Sequence, residues 1–292
     1  MHDPKPPFFC SGTPKSGTTF LQRMLDAHPE VSCPSEQGFS EIFKNLRAFY
    51  AGYNDMLKIL DRRTGGQGIR PVSPQAVERI FACHLQVLAE DAAQGKPRYG
   101  LNDNIVHLNV QRFQHMFPAA KIIRIVRNPI DRAISIWHHN ERVHQTDHTP
   151  AFYDKFMRDT GGTLEGCIVR LAQREAKELT TFLDVVAGNP NVLIIRYEDF
   201  SQNRAAELKR LYGFLGAKTP PPLLKRLADQ GAIGTMASAS NNKEFFRGGG
   251  RTDYGAGIVA PEVCRQAMAI MAQPMQRLGY DLSPWQLPDA GC

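Results

Sequence analysis

Gly12-Thr13-Pro14-Lys15-Ser16-Gly17-Thr18-Thr19 follows the apolar run Phe8-Phe9-Cys10 and leads into Phe20 to Ala27, a stretch with helical character. Short strand, glycine-bounded loop, then helix start is the order in which a chain builds a phosphate cradle. The amide N–H groups of the loop and first helical turn converge on one point, at the positive end of the helix dipole. Ser16, Thr18 and Thr19 add hydroxyl donors, and Lys15 adds a point charge. Gly12 and Gly17 have the spacing of a P-loop, but Thr18 stands where that motif has its lysine, and the lysine lies back at position 15. A glycine-containing turn with an exposed lysine is the plain alternative for the same string.

A second constellation runs from Ile122 to Ser135. Arg127 closes a buried-type strand, Asn128-Pro129 opens a helix, and Ser135 lies about two turns further on, so guanidinium and hydroxyl could grip the two ends of a ligand lying along this helix start. Taken alone, the string reads equally well as Arg127 paired with Asp131 and Ser135 solvated. Beside the first motif it favours a ligand with two separate phosphate groups.

The elements that must position these groups alternate short β-rich runs with longer helical stretches, which predicts an α/β fold with a mainly parallel sheet. Strands are expected at Pro7 to Ser11, Tyr99 to Leu101, Lys121 to Val126 and Val192 to Arg196. Helical spacing covers Phe39 to Leu60, Pro74 to Gln94, Val110 to Phe117, Pro129 to Val143, Thr163 to Val186, Arg204 to Leu215, Pro221 to Asp229 and Pro261 to Leu278. Pro274 is expected to kink or end the last of these. Gly65 to Gly68 and Asn241 to Gly257 read as loops.

The bulk properties narrow the function classes. With 292 residues, 42% of them hydrophobic, the chain can bury a sizeable core. The first residues lack the pattern of a signal peptide and no apolar run reaches the roughly 18 residues of a membrane span, so a cytoplasmic protein is expected. Six cysteines lie far apart, without metal-ligand spacing, and read as reduced thiols. The formal charge of +6 suits an anionic ligand, yet Lys and Arg are dispersed and no base-reading motif points to nucleic acid. Oligomeric state has no signature here.

The two strings resemble the sulfotransferase family, whose members use 3′-phosphoadenosine 5′-phosphosulfate (PAPS) as sulfuryl donor and leave the bisphosphate nucleotide PAP. Pro14 to Thr19 is similar to the family's 5′-phosphosulfate loop, so the resemblance implies cofactor contacts from Lys15, Ser16, Gly17, Thr18 and Thr19. Arg127 with Ser135 is similar to its 3′-phosphate motif. Ile194 to Asp199 resembles the strand-end segment whose tyrosine, here Tyr197, approaches the nucleotide. Phe246 to Tyr254 is similar to the C-terminal loop that closes over the cofactor. Gly248 and Thr252 depart from that pattern, leaving Arg247 and Gly249 as the matches. The resemblance extends over most of the chain, although only the first two strings are specific. It implies one domain over residues 1–292 with helical insertions and a P-loop-like three-layer fold, a central mainly parallel sheet flanked by helices. No metal is implied.

Sulfuryl transfer needs a base for the acceptor hydroxyl and positive charge or a proton for the leaving bridging oxygen. Lys15 suits the second task. Leu25 to Gln37 is similar to the stretch after the loop in tyrosylprotein sulfotransferases and related carbohydrate enzymes, where a glutamate matching Glu36 takes the proton. His28-Pro29 ends the first helix and leaves room for an extended return, Val31 to Cys33, that brings Glu36 back; a carboxylate opening a helix after Ser35 is the alternative. Asp103 and His107 are the other candidates. Their segment sits where the tyrosylprotein type has Lys-Asp-Pro, with Asn102 in the lysine position, and where cytosolic aryl and steroid enzymes use a histidine. No chemistry is assigned to His138, His139, His144 or His148.

Three function classes are thus on the table. A PAPS-dependent sulfotransferase leads. A P-loop phosphotransferase is opposed by Thr18 and by the lack of a carboxylate pair for magnesium. A non-catalytic anion-binding module is motivated only by charge. The acceptor, whether glycan, small-molecule alcohol or phenol, or peptide tyrosine, is expected to meet Gln37 to Gly68 and Gln145 to Gly162, where Phe39, Phe43, Tyr50 and Tyr53 could stack on a ring or simply pack as helix core.

Overall fold

Short apolar strands buried on both faces assemble into a parallel sheet. The computed structural model describes residues 5–66, 68–146, 150–231 and 257–283. In it β1 (Phe8–Gly12), β2 (Val31–Ser32), β3 (Arg98–Asn102), β4 (Ile122–Val126) and β5 (Val192–Arg196) lie in the order β2-β3-β1-β4-β5, every pair parallel. All five residues of β1 are buried, and the strand pairs on both sides, Cys10 opposite Asn102 of β3 and Ile123 of β4.

Side-chain alternation along the strands builds the layers. Phe9, Ile122 and Val126 face one core, completed by α3 (Pro74–Asp91), α4 (Val110–Met116), α5 (Pro129–Thr146), α7 (Leu164–Val185) and α11 (Pro261–Arg277). Phe8, Cys10, Ile123, Ile125 and Ile195 face the other, closed by α1 (Thr18–Ala27), α8 (Tyr197–Gln202), α9 (Arg204–Leu215) and α10 (Pro221–Gln230). The result is the expected three-layer α/β architecture with a P-loop-like β1–loop–α1 unit at its centre. Fully burying a large side chain such as Phe9, Phe81 or Phe182 contributes about 1.5–3 kcal/mol each. Local signals set the helix starts: Ser73 caps α3 by accepting from Ala76 N at 3.1 Å, with Pro74 at the first position, and Thr163 caps α7 by accepting from Gly166 N.

Three expectations are sharpened by the structure. The segments expected to meet the acceptor are largely helical, the first as its spacing predicts and the second unexpectedly. α2 (Phe39–Arg63) is 25 residues long, and α6 (Pro150–Asp159) repeats Phe152, Tyr153, Phe156 and Met157 at helical spacing. Within α2, Phe39 is fully buried and Phe43 packs on Phe81 at 5.1 Å, so these rings serve the core, while Tyr53 is exposed. Finally, of the two outcomes expected at Pro274, ending the helix is excluded: α11 runs on to Arg277, with buried Met271 and Met275 packed on either side of the proline. Among the described residues no helix is long and apolar enough to cross a membrane.

Gly100 marks the tightest fit between sheet and side chains, since a Cβ there would overlap the buried Phe8 ring. Gly100→Ala is therefore expected to lower stability by roughly 1–3 kcal/mol through forced repacking, read as a lower urea midpoint with an unchanged slope.

Candidate active site

β1 ends at Gly12, where a side chain would meet Ile125 Cγ2 at 2.7 Å and Thr18 Cγ2 at 2.9 Å. The chain then turns, Ser16 N donating to Thr13 O at 3.1 Å, with Lys15 at φ 70° and Gly17 at φ 97°. A Cβ on Gly17 would lie 2.5 Å from Tyr197 Cδ2, so this position excludes side chains by space as well as by conformation. α1 starts at once, its first ladder bond running from Leu21 N to Gly17 O at 2.9 Å, and no side chain caps it. Its first-turn amides are consequently available to an anion. Behind them Ser16 is fully buried, and its Oγ has no hydrogen-bond partner among the described residues.

Three further strand ends converge here. After β4, Arg127 donates from Nη1 to Lys15 O at 3.2 Å and lies 4.7 Å over the Tyr197 ring, while its buried Nε has no partner among the described residues. Asn128 opens α5, its Oδ1 accepting from Ile130 N at 2.9 Å, and its own N–H donates to Glu198 Oε1 at 2.7 Å. Tyr197 follows β5 directly. From the β2–α2 connection comes Glu36, whose Oε1 accepts from Asn104 Nδ2 at 2.9 Å. Glu36 precedes the helix rather than opening it, since Gly38 is the N-cap of α2.

A cleft of about 700 Å³ therefore brings together Lys15, Gly17, Thr18, Thr19, Glu36, Arg127, Ser135 and Tyr197. Apolar side chains also line it, Ile134 and Val143 of α5, Phe152 and Phe156 of α6 and Leu171 of α7, interspersed with polar ones of α5 and α7. Arg247 and Gly249 lie outside the described residues. Burial, with the Arg142 charge, pulls the Lys15 ammonium down to about 8. Burial, with the Asp103 charge, pushes the Glu36 carboxyl above its ordinary range.

Asp103 and His107 are placed differently. Asp103 is buried, its Oδ2 accepting from Phe39 N at 2.8 Å and its Oδ1 from Ile105 N at 2.9 Å, so both oxygens already hold the start of α2 and the turn after β3. His107 is buried behind β1 and borders a separate cavity of about 550 Å³ between α4 and α7. Ser11 Oγ accepts from His107 N at 3.2 Å and lies 2.8 Å from its Nδ1, so hydroxyl and imidazole share a buried hydrogen bond. Burial and the charges of Arg124, Arg132 and Arg174 hold this imidazole down at about 3. Neither group is among the residues that line the cleft.

Several cleft residues escape sequence reasoning. His139, kept near 4 by burial and by Lys15 and Arg142, lies with its Nδ1 3.1 Å from Arg142 Nη2. Only its helical spacing from Ser135 could have signalled it. Thr13, Arg132 and Glu175 also line the cleft. Glu175 had a signal, a carboxylate inside the apolar stripe Ile168, Ala172, Leu179, Phe182. Among the described residues no group of His, Cys, Asp and Glu is placed to hold a metal.

Comparison with known proteins converges on one family. A model of the sulfotransferase family matches residues 6–221. Sulfotransferase 6B1 of Mus musculus is 25% identical over 243 residues, 79% of this chain and 77% of that protein. Protein-tyrosine sulfotransferase 2 of Gallus gallus is 28% identical over 127 residues, 42% of this chain and 31% of that protein, so this chain spans under a third of that relative. The fold of a mouse sulfotransferase crystallised with PAP superposes with a TM-score of 0.54 at 17% identity, covering 93% of this chain and 85% of that one.

The lowered Lys15 pKa makes anion binding pH-dependent. The ammonium is lost as pH rises through about 8, so affinity for inorganic pyrophosphate is expected to fall across that range. In Lys15→Arg, which stays charged, the fall disappears. Calorimetric titrations at pH 7 and pH 9.5 measure both.

Proposed function

The chain belongs to the sulfotransferase family, and we propose that it transfers the sulfuryl group of PAPS to a hydroxyl acceptor, with Glu36 as base and Lys15 at the leaving oxygen. The observation that carries this reading is the convergence, in one cleft, of Lys15 and Glu36 with two separate anion-gripping elements. The residues present fit such a donor. Ser16 Oγ and Arg127 Nε are buried donors without partners among the described residues, α1 is uncapped, and Gly17 leaves no room for a side chain beside Tyr197.

The loop from Lys15 to Thr19 would hold the 5′-phosphosulfate end, and Arg127 with Ser135 the 3′-phosphate, with Tyr197 beside them. Arg247 and Gly249 complete the proposed contacts. When bound, the donor supplies an activated sulfuryl group on a phosphate leaving group. Glu36 receives the acceptor hydroxyl's proton as the new oxygen–sulfur bond forms. Its raised pKa brings it closer to the working pH, and Asn104 orients it. Lys15 offsets the negative charge that grows on the bridging oxygen as the old bond breaks. Arg127 fixes the loop itself through its bond to Lys15 O.

The same proposal takes residues 1–292 as one catalytic domain with helical insertions, and a cytoplasmic setting is supported by free thiols at Cys10, Cys33, Cys83, Cys167 and Cys264. The acceptor is a glycan, a small-molecule alcohol or phenol, or a peptide tyrosine. Mass spectrometry of a mixed panel, incubated with PAPS and scanned for a sulfate mass gain, identifies which; absence of any gain over the whole panel counts against the reading.

Glu36→Gln is expected to lower kcat by roughly 10²–10⁴-fold while leaving PAP affinity nearly unchanged. Single-turnover assays alongside calorimetry check both, and retained turnover would remove Glu36 from its role. Lys15→Ala should cost roughly 10²-fold or more in kcat, consistent with other charge-stabilising donors.

A further inference from the structure

Glu175 is 2% exposed, on α7, at a position where the helix otherwise buries apolar side chains. Its two oxygens engage two different elements. Oε1 accepts from Thr13 Oγ1 at 3.0 Å, and Thr13 is the first residue of the loop after β1. Oε2 accepts from Arg132 Nε at 2.7 Å and lies 2.6 Å from Arg132 Nη2; Arg132 is 3% exposed on α5, one turn before Ser135.

Removing a carboxylate and a guanidinium from water costs several kcal/mol per ion, which pairing only about offsets, and apolar residues of similar volume are often at least as stabilising. The stability of the α7 stripe therefore gives no reason for a glutamate at 175. The geometry does. One rigid carboxylate spans the loop that carries Lys15 and the helix that carries Ser135, from a third element that contributes to neither anion grip. A ligand with two anionic groups gains from holding both at once only when the spacing of the two sites matches its own.

We propose that Glu175 is a positioning residue that sets the separation between the Lys15 loop and the start of α5, so that the two phosphate groups of one nucleotide engage both together. This rests on the reading of the donor as PAPS. Its consequence is an energetic advantage of the bisphosphate nucleotide over either monophosphate that depends on the Thr13–Glu175–Arg132 link.

Arg124, fully buried and 4.2 Å over the Phe182 ring, also lies within electrostatic reach of Glu175. Glu175→Ala would leave the buried Arg132 without its carboxylate partner and weaken the compensation of Arg124, and is expected to damage folding. Thr13→Val, which removes only the loop arm, and Glu175→Gln, which keeps the shape, are the informative variants. Calorimetry on the full chain compares PAP with adenosine 5′-monophosphate and adenosine 3′-monophosphate. Both variants should lose roughly tenfold in PAP affinity, as for a buried hydrogen bond, while each monophosphate changes less than about threefold. Thr13→Ser should restore PAP affinity. Equal losses for all three nucleotides, or an undiminished PAP advantage in both variants, would overturn the proposal while leaving the donor assignment standing. A wild-type chain that does not bind PAP overturns the donor assignment and this proposal with it.

Discussion

Parallel pairing of β1 with β3 and β4 is the constraint on which everything else rests. With its amides engaged on both sides and all five residues buried, β1 has no freedom to slide, and a shift of one residue would exchange Phe9 for Phe8 and Cys10 between the two cores. Because all the strands run the same way, their C-terminal ends share one edge of the sheet. Lys15 follows β1, Glu36 follows β2, Asn104 follows β3, Arg127 follows β4 and Tyr197 follows β5. The site is thus a set of short extensions from fixed points, each a few residues long.

Burial then differentiates the charged groups. In the cleft it moves Lys15 and Glu36 toward neutrality from opposite sides, so each gives up its charge more readily than it would in water. Behind β1 the same physics, with three arginines nearby, holds His107 neutral and bound to Ser11. Asp103 shows the other fate of a buried carboxylate: with both oxygens taken by backbone amides, it is a structural pin for the start of α2. Of the three candidate bases, Glu36 thus meets the cleft, while Asp103 and His107 lie behind it.

The phosphate loop and the Arg127–Ser135 string were legible because each is continuous in the chain, with its donors fixed by local geometry. Four strands were legible as β-branched or aromatic runs ended by charge or glycine. Which of Glu36, Asp103 and His107 would border the cleft was not, because it depends on which side of β1 and β3 each segment turns toward, a matter of packing. α6 was hidden by its ten-residue length and the Gly161-Gly162 pair after it. Glu175 was readable in principle: a carboxylate in the middle of an apolar stripe is a conflict between pattern and burial, and such conflicts mark sites where something other than stability is served.

Lys15 carries a lesson for anyone who would redesign this protein. A non-glycine residue at φ 70° costs about 1 kcal/mol or more, so a search for stabilising changes guided by backbone energy would choose glycine at this position. That substitution would ease the turn and leave the cores untouched, and it would also take away the ammonium that faces the cleft. If Lys15 acts at the leaving oxygen as proposed, the most attractive position by the measure of shelf life is among the worst by the measure of turnover, and thermal shift alone would favour the wrong variant.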